Sequence, residues 1–288
     1  MDEVAQFTYL KDLPLYEREV PYRNFIDGAC NIILDQPPPQ PVQDIRGREK
    51  EFTLATQGFE YREHALPAVV DWQDKGEIEE IYVEALKSFV QDLIPENVQR
   101  CEMFDFRLRS AEASRSDIPL HPDLSGTYKM PPAMTVHVDQ SPLGVLEWLR
   151  RQFGQEETNQ IVNKYRVRVI NIWRPLVDVV EDLPLAMCDS RTVKPSDLVH
   201  SAHASADNVR RTYLVKYNKD FRFYYLSRMT KNEVCAFTVF DSAEFGGDSI
   251  RTPPHAAFHL SNPWSPDRRP RESIEVRLLV LSEPEPGS

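Results

Sequence analysis

The stretch Met134-Thr135-Val136-His137-Val138-Asp139-Gln140-Ser141-Pro142 constrains this chain more than any other. Its apolar, β-branched start reads as a strand. Strand side chains alternate between faces, so His137 and Asp139 point the same way. An imidazole and a carboxylate side by side on a rigid strand supply two members of a 2-His-1-carboxylate triad. Such a triad grips a non-haem Fe(II) from one face and leaves its other positions open. Alone the pair is weak. A chain with seven His meets His-x-Asp by chance roughly one time in three at ordinary Asp frequencies, and the plain alternative is a surface His beside a solvated Asp.

A third ligand should come from another strand far along the chain. The segment Pro253-Pro254-His255-Ala256-Ala257-Phe258-His259 offers two candidates. His255 follows a Gly/Asp loop and a short Ser-Ile-Arg-Thr run, as a strand entering a site would. His259 adjoins the polar loop that begins at Ser261 and suits a structural or exposed role better.

Arg271-Glu272-Ser273 opens a further strand-like run that reaches Leu281. Arg271 and Ser273 share a face. A guanidinium fork with a hydroxyl beside it suits a carboxylate, offering two parallel N–H bonds and one O–H bond. 2-Oxoglutarate needs such a clamp at its far carboxylate while its other end chelates iron. The plain alternative is a solvated Arg/Glu pair on an edge strand. His-x-Asp, then His, then Arg-x-Ser form an ordered set that is stronger than its members. Arg277 shares the strand face of Arg271 and is the main rival clamp; Arg174, Arg268 and Arg269 are others.

These residues carry a family resemblance. The chain resembles the fungal and bacterial Fe(II)/2-oxoglutarate oxygenases related to the cephamycin 7-methoxylation protein, gibberellin desaturase, aspergillic acid hydroxylase and the novofumigatonin endoperoxidase. Matching stretches run nearly the whole length. They include Leu15-Tyr16-Glu17-Arg18-Glu19, Asp44-Ile45-Arg46-Gly47-Arg48-Glu49 and His137-Val138-Asp139-Gln140-Ser141-Pro142. Asn171-Ile172-Trp173-Arg174-Pro175, Pro184-Leu185-Ala186-Met187-Cys188-Asp189-Ser190-Arg191, Tyr224-Tyr225-Leu226-Ser227-Arg228-Met229-Thr230 and Pro270-Arg271-Glu272-Ser273-Ile274-Glu275-Val276-Arg277 follow. The resemblance implies a mainly β chain with bracing helices, a double-stranded β-helix of the jelly-roll, cupin-like kind. It implies Fe(II), 2-oxoglutarate and O2 as cofactors. In its pattern the metal His follows Thr-Pro or Pro-Pro, which selects His255 over His259.

Composition agrees with this reading. A net charge of −11 and the lack of a basic patch make nucleic acid a poor partner. No apolar run approaches membrane-spanning length. Met1-Asp2-Glu3-Val4 is acidic and lacks the apolar core of a signal peptide, so a cytoplasmic protein is expected. Cys30, Cys101, Cys188 and Cys235 show no zinc-type spacing and read as buried, reduced thiols.

One domain is expected over 1–288, with an N-terminal extension over 1–75, a helix-braced core over 76–281 and a frayed tail over 282–288. Prolines make 36–41 extended. Residues 46–59 suggest a hairpin turning near Gln57-Gly58. Residues 77–93 form the clearest helix, with Ile78, Ile81, Tyr82, Ala85, Leu86, Phe89 and Leu93 at helical spacing, and it should brace the outside of the main sheet. Helices are expected over 143–153 and 156–163, and strands over 166–173 and 234–240. Val167, Val169, Asn171 and Trp173 share a face and should look into the barrel; Asn171 is a candidate 2-oxoglutarate contact or a buried structural amide. Residues 213–217 and 221–226 suggest a hairpin across Asn218-Lys219-Asp220.

Loops at the barrel mouth should select the substrate. Residues 107–134, with His121, Tyr128, Met130 and Met134, and the polar stretch 190–208, with His200 and His203, are the candidate covers. Tyr128, Met130, Met134, Trp173 and His200 are the expected substrate contacts, and a plain solvated loop is the alternative for 190–208. The whole describes an Fe(II)/2-oxoglutarate oxygenase that hydroxylates, desaturates or endoperoxidises a hydrophobic, terpenoid-like secondary metabolite, with a homodimer left open. Two alternatives stand beside it: a cupin-like metal dioxygenase without 2-oxoglutarate, and a metal-free partner subunit of a two-protein system.

Overall fold

The computed structural model describes residues 1–67, 71–114, 127–206, 208–244, 251–261 and 268–284. Strands are numbered in chain order. The larger sheet runs β1 (Glu3–Ala5), β5 (Gln40–Asp44), β14 (Phe223–Tyr225), β11 (Leu185–Cys188), β16 (His255–Ala257), β9 (His137–Val138), β13 (Val209–Val215), β12 (Leu198–Ala204), β3 (Tyr22–Asn24). The smaller sheet runs β6 (Phe59–Glu63), β15 (Glu233–Asp241), β10 (Arg166–Pro175), β17 (Glu272–Ser282), β7 (Val98–Ser110), β8 (Lys129–Met130). β2 (Tyr9–Leu10) and β4 (Leu34–Asp35) form a separate pair. Neighbours in both sheets come from distant parts of the chain and are mostly antiparallel, as in a jelly roll. The fold is a double-stranded β-helix with bracing helices.

Strand alternation sorts β17 into two faces. Ile274, Val276, Leu278 and Val280 join the apolar layer outside the smaller sheet, together with Ile170 and Ile172 of β10. Leu279 and Leu281 join the layer between the sheets, with Val167, Val169 and Trp173 of β10. Ser273, Glu275 and Arg277 therefore share the inner face near the start of β17. A third layer, with Phe7, Val136, Ala186, Phe223 and Ala256, covers the outside of the larger sheet.

The bracing helix differs from its expected regularity. It starts as α1 (Lys75–Glu77), capped by the Asp74 side chain, widens into a π segment at Ile78–Val83 and resumes as α2 (Glu84–Leu93). The wider turn rotates the stripe, so Val83 is buried with Tyr82 while Ile81 is exposed. The helix still lies on the outer face of the smaller sheet. The expected helices over 143–153 and 156–163 are two arms of α3 (Pro142–Lys164), broken at Gly154 by a φ of 77°.

Both expected hairpins are absent. The chain does turn at Gln57-Gly58, but β5 and β6 enter different sheets. Gly58 has a φ of 86°, and a Cβ there would sit 2.2 Å from the Arg251 carbonyl oxygen, so only glycine lets the approach to His255 pass this close. β13 pairs with β12 and β9, whereas β14 pairs with β11 and β5, so 213–226 crosses the sheet instead of folding back. The stretch from 190 holds two 3-10 turns, Ser190–Thr192 and Pro195–Asp197, and then β12, which pairs along β13 from Leu198 to Ala204. Strands from the first 75 residues belong to both sheets. Cys188 and Cys235 are buried, Cys101 is half-buried and Cys30 is exposed, so burial of all four thiols does not hold. His121, the end of the tail at 285–288 and much of the expected cover over 107–134 lie outside the described residues.

Candidate active site

β9 and β16 meet at one pair: His137 stands opposite His255. Their rings lie 4.5 Å apart, centre to centre. Asp139 follows two residues after His137 on the same side. Its Oδ1 is 3.5 Å from His137 Nε2, and its Oδ2 is 3.5 Å from His255 Nε2. The ligating atoms of all three lie within 4.8 Å of one another. His259 is exposed and takes no part.

The outer nitrogens fix the tautomers. His137 Nδ1 lies 2.8 Å from the Thr135 carbonyl oxygen and His255 Nδ1 lies 3.2 Å from that of Pro253. Donation from each Nδ1 leaves an Nε2 lone pair directed inward, the arrangement of a metal-ligating imidazole. His255 Nε2 is buried and has no hydrogen-bond partner. Burial first, then His255, pushes the His137 imidazole below its ordinary value, which keeps it neutral at pH 7. For Asp139, burial opposes ionisation, but the Arg277 guanidinium and the two imidazoles hold the carboxyl well below the usual range. Two neutral imidazoles and one carboxylate suit a divalent ion of the iron type.

Two residues of the smaller sheet grip the carboxylate. Asn171 Nδ2 donates to Asp139 Oδ2 at 3.0 Å. Arg277, opposite Asn171 in the β10–β17 register, places Nη2 2.9 Å from Asp139 Oδ1. Arg277 also donates to Asp105 Oδ1 at 2.6 Å and contacts Glu275. Both residues were candidate 2-oxoglutarate contacts; here they orient Asp139. Arg174 is excluded as a clamp because it lies on the outer face, donating to the Tyr82 hydroxyl at 3.0 Å and the His64 carbonyl at 2.8 Å.

Arg271 and Ser273 occupy the inner face at the start of β17 and are each 1% exposed. Arg271 Nη1 donates to the Leu183 carbonyl at 2.6 Å, and its guanidinium carbon lies 5.5 Å from the centre of the Trp173 ring. Arg271 Nε and Ser273 Oγ are buried without hydrogen-bond partners. Burial first, then Arg109, brings the Arg271 guanidinium down to about 9, still charged at neutral pH. A buried cation beside an unpartnered hydroxyl fits a carboxylate guest.

The expected substrate contacts divide. The parallel β7–β8 register sets Met130 beside Arg109, so Met130 and Tyr128 share the inner face. Tyr128, Met130 and Met134 are half-buried and Trp173 is buried. His200 is not brought to the cavity. Leu214 pairs with His137 and Val199 pairs with Leu214, so His200 takes the opposite face, exposed and 4.5 Å from the Tyr213 ring. His203 faces inward instead. Asp105, Arg107, Arg210 and Glu275 escaped the sequence reading, although Asp105, Arg107 and Arg109 alternate with Phe106 and Leu108. Charge on every second residue of an apolar strand was a readable signal of a polar interior. A groove of about 520 Å³ between α3 and β7, lined by residues such as Arg100, Phe153 and Glu157, holds none of these groups.

Comparison with known proteins fits this geometry. Residues 8–281 match the family described as "Oxidoreductase/YMDC permease-like domain". A hydroxylase/desaturase, efuI of Hormonema carpetanum, is 32% identical over 263 residues, covering 85% of this chain and 84% of the relative. The Fe(II)/2-oxoglutarate-dependent dioxygenase nvfI of Aspergillus novofumigatus is 28% identical over 245 residues, covering 83% and 81%. The chain belongs to this family of Fe(II)/2-oxoglutarate-dependent oxygenases. The solved iron and α-ketoglutarate-dependent endoperoxidase NvfI shares the oxygenase's fold with a TM-score of 0.79 at 24% identity, over 98% of this chain and 99% of that one. The oxygenase therefore uses Fe(II), 2-oxoglutarate and O2. No helix among its described residues is long and apolar enough to cross a membrane.

Proposed function

We propose that His137, Asp139 and His255 hold Fe(II), that Arg271 and Ser273 bind the far carboxylate of 2-oxoglutarate, and that the enzyme tailors a largely apolar, terpenoid-like small molecule by hydroxylation, desaturation or endoperoxidation. The observation that carries the reading is the pair of inward Nε2 atoms converging on the two oxygens of Asp139. Bound iron, 2-oxoglutarate and O2 together supply an oxidation of a substrate C–H, with succinate and CO2 as co-products.

The protein's part is placement. Thr135 and Pro253 fix the imidazole planes through their carbonyls, and Asn171 and Arg277 fix the carboxylate plane. Arg271 and Ser273 set how deep 2-oxoglutarate sits, and Trp173 packs beside the guanidinium. Tyr128, Met130 and Met134 supply an adaptable apolar wall that decides which C–H is within reach. Four unpaired thiols support a reducing compartment such as the cytoplasm.

The unpartnered Arg271 Nε and Ser273 Oγ favour 2-oxoglutarate use over a dioxygenase that dispenses with it. The intact triad argues against a metal-free partner subunit. Succinate release from 2-oxoglutarate by the Fe(II)-loaded protein tests the reading. Release should be stimulated by terpenoid-like molecules and abolished in Asp139→Ala, which should still unfold cooperatively; undiminished release in that variant overturns the ligand assignment.

A further inference from the structure

The charges buried around the iron site are not all matched. Arg277 meets Asp105, Asp139 and Glu275. Arg107 lies 3.2 Å from Asp105 and donates to the Phe106 carbonyl. Arg271 donates to the Leu183 carbonyl. Arg210 differs: among the described residues its guanidinium has neither a hydrogen bond nor an ion pair, and its Nε, like that of Arg271 and Arg277, is buried without a partner.

The sheet register shows where Arg210 points. On β13, Leu214 pairs with His137, so Thr212 and Arg210 lie on the same inner face. On β12, Ser201 and His203 stand opposite them. Arg211 turns away to Glu147 of α3 at 2.8 Å. From the other sheet, Arg107 occupies the inner face of β7, opposite Glu275 of β17. Burial first, then repulsion from Arg107 and Arg277, brings the Arg210 guanidinium down to about 9, so it stays charged at neutral pH. Among the described residues, two like charges face the interior from opposite walls and Arg210 forms no ion pair, with Asp105 and Asp139 offsetting only part of the repulsion.

2-Oxoglutarate does not resolve this. Its two negative charges are offset by Fe(II), and its proposed clamp lies elsewhere. Arg271 is influenced by Arg109, Asp182 and Glu275, whereas Arg210 is influenced by Arg107, Arg277, Asp105 and Asp139. Arg271 immediately precedes β17 and Arg277 lies in its middle. We propose that Arg210, with Arg107 across the cavity from it, is the subsite for a carboxylate group of the substrate. The inference rests on the oxygenase reading above and narrows it: the substrate has an apolar body and an anionic end, and that anchor fixes which carbon is presented to the iron. A half-buried guanidinium with an enclosed Nε and no partner among the described residues gains a matched charge when a carboxylate arrives.

Calorimetric titration of benzoate, with benzamide as its neutral isostere, into the anaerobic Fe(II)–2-oxoglutarate holoenzyme tests this. Wild type should bind benzoate saturably and at least about tenfold tighter than benzamide, and Arg210→Met should remove that preference. Arg210→Met should also melt no lower than wild type, because it removes a half-buried charge that no described residue pairs with. Equal binding of benzoate and benzamide, no saturable benzoate binding, or a preference lost in Arg271→Met but kept in Arg210→Met overturns the subsite. So does a fall of several degrees in the melting temperature of Arg210→Met. Binding of 2-oxoglutarate is read separately, from its own heat with Fe(II) before benzoate is added, so failure of the co-substrate assignment is distinguishable from failure of the anion subsite.

Discussion

Arg277 Nη2 lies 2.9 Å from Asp139 Oδ1, so the middle of β17 holds the only carboxylate of the candidate metal triad. The same guanidinium joins Asp105 and Glu275 into one buried network. Arg277→Met would leave three carboxylates without their shared cation. The expected loss of stability is about 3–5 kcal/mol, with weakened iron binding. Urea unfolding of the metal-free protein measures it, and a loss below about 1 kcal/mol would mean the network is held by other groups.

Arg271→Ala should raise the 2-oxoglutarate requirement by about 30- to 150-fold, the equivalent of about 2–3 kcal/mol for a charge-assisted pair. Arg271→Lys should not restore it, because an ammonium cannot form the fork. Ser273→Ala should have a smaller effect, about fivefold, the equivalent of about 1 kcal/mol. Steady-state succinate release against 2-oxoglutarate concentration separates these. An unchanged requirement in Arg271→Ala would move the clamp elsewhere.

The two histidines of the 255–259 segment should differ sharply. His255→Ala should lose tight Fe(II) binding, since it removes a buried ligand opposite His137. His259→Ala, an exposed change, should leave both iron binding and stability within about 0.5 kcal/mol of wild type. Equilibrium metal titration with a chromophoric competitor decides between them; similar losses in both would contradict the assignment of His255.

His203 gives a pH signature. Burial first, then Arg210 and Arg23, and more weakly His137, push its imidazole down to about 4. The unfolded chain then binds more protons than the folded one between about pH 6.5 and pH 4. This contribution to stability is complete above pH 6.5 and declines as the pH falls toward 4. Arg210→Met should raise the His203 pKa, which NMR titration of the ring protons can follow. A His203 that titrates near 6.5 in wild type would show that it is not enclosed beside Arg210.

Much of the site was legible because its signals are local. His137 and Asp139 share a strand face two residues apart, and Arg271 and Ser273 repeat that spacing. Other features depend on which strands become neighbours. The role of Arg277 follows from Asn171 and Asp105 lying opposite it on either side, a register that 277 alone does not reveal. The hairpin expected at 218–220 had good turn residues, but β13 and β14 pair instead with β9 and β11. His200 and His203 looked equivalent in a polar stretch; their three-residue separation puts them on opposite faces of β12. The π segment shifted Ile81 outward through a backbone change that helical periodicity does not anticipate.

The most direct test of the central claim is anaerobic addition of 2-oxoglutarate to the Fe(II)-loaded protein, followed by visible absorption. Chelation of 2-oxoglutarate at the iron should give a weak charge-transfer band in wild type. The band should be lost in Asp139→Ala and need a much higher 2-oxoglutarate concentration in Arg271→Ala. No band in wild type with iron bound, or an undiminished band in Asp139→Ala, would contradict the account.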